Sequence, residues 1–219
     1  IELFEQNIRT NDRQSSKGNQ LKWENKGIWY KADYTGYEGL AEYMISHLLK
    51  KSTLTENEFV CYDLEKIKYG SVIYNGVKSK NFLNEDWQII TLERLFKNFF
   101  GESLYKTLYR IPEHKERLHF LVQQVERITG LLSDTTMDYP LSGDTYSLID
   151  NVQSKTICSE FDEQLDISES LYNINLKFHF TKKDVNELLV NAGAYPEEIR
   201  NRVETVIFAQ MRKYTYLFS

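Results

Sequence analysis

The chain has 219 residues, 41 % of them hydrophobic and 14 % aromatic, enough to bury a core in one large domain or two small ones and too apolar for disorder to be the default. Its 27 Lys+Arg against 32 Asp+Glu leave a formal net charge of -5, which argues against a chain-wide nucleic-acid footprint. No run approaches the roughly 18 apolar residues of a membrane span, and the N-terminus lacks the basic-then-apolar order of a signal peptide. A cytoplasmic protein is the expectation, trimmed or processed because it opens at Ile1.

Residues 1–11 predict a short irregular or edge segment. Residues 13–19 gather small, hydroxylic and basic side chains, a composition that can offer N–H groups, hydroxyls and a cation to phosphate without matching G-x-x-x-x-G-K-[ST]. Residues 21–23 and 28–33 flank Glu24-Asn25-Lys26-Gly27 and predict a β-hairpin with a four-residue turn. Period-2 alternation puts Trp29, Lys31 and Asp33 on one face of the second strand. Gly36 and Gly39 break that strand, and residues 40–51 predict a helix with Leu40, Met44, Ile45, Leu48 and Leu49 as its apolar positions. Glu38, Glu42 and Ser46 recur every four residues as a polar stripe, which would matter chemically only if it turned toward Lys31.

Residues 58–66 and 71–79 predict two more strands around Tyr69-Gly70, with Asn75-Gly76 as a second tight-turn signal. From Thr91 the pattern is helical: a helix with Leu92, Leu95, Phe96 and Phe99 on one face stopped by Gly101, a short helix over 104–110, and a strong one over 113–129 stopped by Gly130. His114 and His119, five residues apart on that helix, have no ligand spacing and read as surface histidines. Residues 131–159 are loop-like. Helices follow over 161–172 and 182–192, separated by a short strand or loop at 176–180 containing His179; Thr181 and Asp184 form a capping-box pattern, and Pro196 opens a last helix over 197–212. Cys61 and Cys158 stand in no C-x-x-C or His-rich setting, so their spacing suggests neither a disulfide nor a zinc site.

A strand lysine held by a helix glutamate is the device by which protein kinases grip ATP phosphates. Beyond that one device, several segments taken in order resemble the HipA-like serine/threonine protein kinases, particularly compact stand-alone bacterial members. These are Lys17-Gly-Asn-Gln-Leu-Lys-Trp23, Trp29-Tyr-Lys-Ala-Asp-Tyr34, the stretch from Gly36 to Ser46, Ser79-Lys-Asn-Phe-Leu83, Phe161-Asp-Glu-Gln-Leu165, and Phe178-His-Phe-Thr-Lys-Lys-Asp184. The resemblance implies an α+β, protein-kinase-like bilobal fold, with a strand-rich N-lobe over residues 1–90 and a truncated helical C-lobe over 91–219. It further implies Ser15 and Ser16 in a phosphate-facing loop, Lys31 as the ATP lysine, Glu42 (preferred) or Glu38 as its partner, and Ser79 and Asn81 near an adenine-binding hinge.

Phosphoryl transfer also needs an aspartate base, an asparagine five residues on, and a second aspartate for metal. None of the eleven aspartates is followed by Asn at the fifth position, and no Asp-x-Gly occurs. In the resembled family the catalytic loop lies between the long helix and the segment matching residues 131–140, which are directly joined here. The expectation is therefore a catalytically impaired kinase remnant with weak ATP binding, no magnesium site, a protein partner, no membrane and no nucleic acid. Two alternatives stand beside it: an active kinase with unconventional metal ligands such as Asp150 and Asn151, although these follow residues 131–140 rather than precede them, and an unrelated α+β interaction module.

Overall fold

The computed structural model describes residues 1–4, 8–9, 20–83, 90–133 and 176–218. They are α+β and belong to two compact units, one comprising Ile1–Trp87 with Leu176–Ser219 and the other Gln88–Asn175. The last 44 residues fall in the unit that holds the strands, apart from the helices between Leu92 and Ser133. The expected helix over 161–172, together with Ser15, Ser16, Asp150, Asn151 and Cys158, lies outside the described residues.

The first unit is built on a mixed six-stranded sheet. Its strands are β1 (Glu2–Leu3), β2 (Ile8–Arg9), β3 (Lys22–Asn25), β4 (Ile28–Ala32), β5 (Asp63–Tyr69) and β6 (Val72–Lys80). They lie in the order β1-β5-β6-β4-β3-β2, so β1 and β2 form opposite edges. In a flat sheet those edges would stand about 24 Å apart at the usual strand spacing of about 4.8 Å. The five residue steps from Leu3 to Ile8 reach at most about 18 Å, so the sheet must curl. The inside of the curl is filled by Leu3, Trp23, Tyr30, Ala32 and Ile67, with Leu21, Ile28, Tyr69 and Tyr74 packed around them.

Two turns depart from expectation for identifiable reasons. The β3–β4 hairpin has a two-residue turn, Lys26-Gly27, with φ of 53° and 76°; two left-handed residues match the twist of the flanking strands, so β3 continues through Asn25. Asn75-Gly76 is no turn at all but the middle of β6, opposite Lys66 and Glu65 on one side, with Gly76 opposite Ala32 on the other. A Cβ on Gly76 would stand 2.1 Å from the Lys31 carbonyl oxygen. Glycine is there because the curled β4 backbone occupies the space of a side chain.

Helix α1 (Glu38–Leu49) crosses the other face of the sheet. Gly39 is not a strand breaker but a buried residue of its first turn, and a Cβ there would lie within 3.0 Å of Asp33, Tyr195 and the Gly76 backbone. The strand expected from residue 58 starts only at Asp63. Thr55 and Glu58 close a local turn, and the Tyr62 N–H donates to Ser46 Oγ of α1 at 3.0 Å instead of joining the ladder.

The C-terminal segment covers α1. Leu40, Tyr43, Met44 and Leu48 pack with Val77 of the sheet and with Phe180, Val185, Leu189, Ala192 and Tyr195. The last residues come from the segment containing α5 (Lys182–Asn191) and leading to α6 (Glu197–Lys213). The capping box foreseen at Thr181 and Asp184 forms, and Phe178 makes isolated bridges to Ser52 and Phe218. With one face on the sheet and another against α5, α1 keeps few residues fully in water, and its polar stripe is partly shielded.

In the second unit α2 (Leu92–Phe100), α3 (Leu104–Tyr109) and α4 (His114–Ser133) share a core of Phe96, Leu104, Leu108, Leu121 and Ile128. Thr91 and Ser103 cap α2 and α3, and Gly101 ends α2 at φ 73°. Gly130 does not stop α4, which runs three residues beyond it; a single interior glycine costs only about 1 kcal/mol. Among the described residues no helix is long and apolar enough to cross a membrane.

Gly76→Ala should destabilise the first unit by at least about 3 kcal/mol, since its methyl meets backbone rather than a movable side chain; an unchanged urea midpoint would contradict the curl. Asp184 is held well below the usual carboxylate range by the Lys51 ammonium and by the Thr181 N–H and hydroxyl. A depressed carboxylate adds stability that is complete above its unfolded value near 4 and lost as pH falls toward the folded one. Asp184→Asn should therefore flatten the loss of unfolding midpoint between pH 5 and pH 2 relative to the parent chain.

Candidate functional site

The site grows out of the hairpin register. Counting back from the two-residue turn pairs Lys22 with Lys31, and β6 sets Val77 on the other side of Lys31. Two lysines therefore stand abreast on the α1-facing side of the sheet. Gly39 lets α1 approach closely, and Glu42, one turn on, comes down on Lys31: its Oε1 accepts from Lys31 Nζ at 2.6 Å, and the Tyr62 hydroxyl lies 2.9 Å from the same nitrogen. The two charged side chains retain 19 % and 28 % exposure, so this pair is shielded without being sealed.

The three members of the polar stripe separate in role. Glu38 accepts from the N–H groups of Thr35, Gly36 and Tyr37, closing the turn before α1 rather than pairing with Lys31. Glu42 is the lysine's partner. Ser46, buried, donates to the Tyr43 carbonyl and accepts the Tyr62 N–H, thereby pinning to α1 the residue whose hydroxyl reaches Lys31. The Asp33 carboxylate accepts the Gly39 N–H at 2.7 Å, and the buried Tyr195 hydroxyl lies beside it.

The electrostatics follow from this crowding. Burial alone would lower the Lys31 pKa, but the Glu42 carboxylate and the Tyr62 hydroxyl outweigh it and hold the ammonium charged. Lys22 goes the other way, lowered by burial and by Lys31, with Glu42 only partly compensating. Asp33 is raised by burial against the Gly39 hydrogen bond, and burial together with Asp33 pushes the Tyr195 phenol up. Among the described residues Glu42 Oε2 and Asp33 Oδ2 are buried oxygens with no hydrogen-bond partner. The arrangement is two neighbouring lysines on one face of the sheet, with Glu42 in contact with Lys31 and the Asp33 carboxylate close enough to Glu42 to feel its charge.

Ser79 and Asn81 stand differently. Ser79 is buried on β6, one step along the same face as Val77, while Asn81 lies past the strand with its N–H donated to the Gly27 carbonyl at 2.8 Å and its Oδ1 accepting from Leu83. The Asn81 backbone donor is thus committed to the hairpin. Lys22, Asp33, Tyr62 and Tyr195 were not foreseen as site residues. Lys22 was within reach of the turn's register, whereas Tyr195 comes 146 residues after the end of α1 and carries no local signal.

No protein-family profile, curated protein or solved structure matches this chain.

Glu42→Gln leaves the Lys31 ammonium without its anion and should cost about 2–3 kcal/mol in urea unfolding, toward the low end for a broken buried pair because water still reaches it. Lys31→Met combined with Glu42→Leu should cost less than the sum of the single changes. Strict additivity of the two would show that the pair contributes nothing as a pair.

Proposed function

We propose that the first unit is a phosphate-binding lobe of the protein-kinase class, and more particularly that the chain is a HipA-like remnant with impaired catalysis. The observation that carries this is the Lys31–Glu42 pair: a lysine from a central strand held charged by a glutamate of the helix that follows it, the combination kinases use on ATP phosphates. Lys22 beside it adds a second cation. The segment that carries Ser15 and Ser16 joins β2 to β3, and β3 is the strand next to Lys31, where a phosphate-covering loop would be rooted.

The bilobal reading makes the helical second unit the counterpart of a shortened C-lobe. Transfer itself would be slow, because no Asp in the sequence has an Asn five residues on and no Asp-x-Gly is present; without metal ligands the charge on a transferring phosphoryl group is not neutralised. The protein would then act in the cytoplasm by holding a nucleotide weakly or by engaging a protein partner. A competing reading, an α+β interaction module with a purely structural ion pair, is favoured by the Tyr62 hydroxyl, which already fills a second position on the Lys31 ammonium.

ATP at about five times a millimolar Kd should stabilise the chain by about 1 kcal/mol, a rise in Tm of roughly 2–4 °C, and Lys31→Ala should abolish it. No shift at millimolar ATP would end the nucleotide reading. Transfer of labelled γ-phosphate to Ser15 or Ser16 is expected to be absent; incorporation that disappears in Lys31→Ala would show an active kinase instead.

A further inference from the structure

Across α1 from the lysine pair, residues 61–63 present a second chemistry. Ser46 Oγ pins the Tyr62 N–H to the helix, and while Tyr62 reaches Lys31, its neighbours Cys61 and Asp63 reach His47. One ligand atom from each of His47, Cys61 and Asp63 lies within 4.8 Å of the others. His47 Nε2 stands 3.7 Å from Asp63 Oδ1. His47 and Glu42, five residues apart, point about 140° from each other around the helix, so this cluster is separate from the lysine site.

We propose that His47, Cys61 and Asp63 form a three-residue site for a zinc-type divalent cation. The His47 ring is oriented for it: Nδ1 lies 3.0 Å from the Tyr43 carbonyl, which can only accept, so Nδ1 carries a proton and Nε2 is the nitrogen turned toward Asp63. A backbone carbonyl on the far ring nitrogen is the usual support of a metal-bound imidazole.

Tetrahedral ligand atoms at Zn–N, Zn–O and Zn–S bond lengths stand about 3.3–3.7 Å apart. Side-chain rotations of about 1 Å would close the set. Thiolate, imidazole and carboxylate give a ligand group of charge two minus, matching a divalent ion, and the Cys61 thiol proton leaves to solvent on binding. A nucleophilic Cys-His-Asp relay does not fit, because such a relay puts thiol and carboxylate on opposite ring nitrogens, whereas here the far nitrogen is taken by Tyr43. Asp63, whose side chain is 65 % exposed, leaves a path in for the ion. The sequence hides the set, since 14 residues separate His47 from Cys61 and no standard ligand spacing results.

The reduced full-length chain, stripped with chelator, should take up one equivalent of Co²⁺ with a thiolate-to-cobalt charge-transfer band and the visible bands of a tetrahedral ion, both displaced by Zn²⁺. Cys61→Ser should remove the charge-transfer band, Cys158→Ser should keep it, and Asp63→Asn, a change at an exposed side chain that the fold tolerates, should weaken Co²⁺ binding at least tenfold. Lys31→Ala should leave the bands intact, so a failed nucleotide test and a failed metal test remain distinct. Absence of the band in the parent chain, its survival in Cys61→Ser, or undiminished affinity in Asp63→Asn would overturn the assignment.

Discussion

Everything in the first unit depends on how closely α1 lies on the sheet. An ammonium taken out of water is costly unless an anion is in hydrogen-bond contact, and Lys31 obtains that contact because Gly39 lets α1 come close to the sheet, where a Cβ would meet Asp33, Tyr195 and the Gly76 backbone. The curl has its own contact, at Gly76, where the β4 backbone takes the place of a side chain on the face turned away from α1.

Ser46 extends that constraint to the segment before β5. By taking the Tyr62 N–H out of the strand ladder, one buried hydroxyl decides where β5 begins and which way residues 61–63 face. Tyr62 is thereby committed to the lysine and its two neighbours to His47. Two chemically different clusters on opposite sides of a helix share a single hydrogen bond as their alignment, and the polar stripe of α1 is accounted for residue by residue: a turn closure at Glu38, a counter-ion at Glu42, an anchor at Ser46.

The C-terminal segment supplies the second half of the environment. Phe180, Val185, Leu189, Ala192 and Tyr195 cover the face of α1 that the sheet does not, removing water from around the stripe and raising the electrostatic stakes of every group on it. Tyr195 reaches Asp33 and the Gly39 position from this side. A phosphate-gripping role for Lys31, as proposed, would thus rest on the end of the chain as much as on the strands that carry the lysine.

Local chemistry made much of this legible beforehand. The hairpin, α1, the Thr181–Asp184 box, the caps at Thr91 and Gly101 and the last helix all follow from periodicity and capping over a few residues, where near neighbours decide, whereas the preference for Glu42 over Glu38 comes with the family resemblance. What failed were signals whose meaning depends on distant backbone. Asn75-Gly76 reads as a turn until the Lys31 carbonyl is seen in the space of its missing side chain, Gly130 reads as a stop although α4 continues through it, and Gly39 reads as a breaker until Asp33 and Tyr195 surround it. By itself, then, the sequence determined most of the strands and helices and put Lys31 and the stripe of Glu38, Glu42 and Ser46 on consecutive elements. Only tertiary structure decided that the stripe on α1 is partly shielded, that residues 176–218 cover it, and that His47 meets Cys61 and Asp63, because each of these is a contact between segments whose separation along the chain leaves no trace in local pattern.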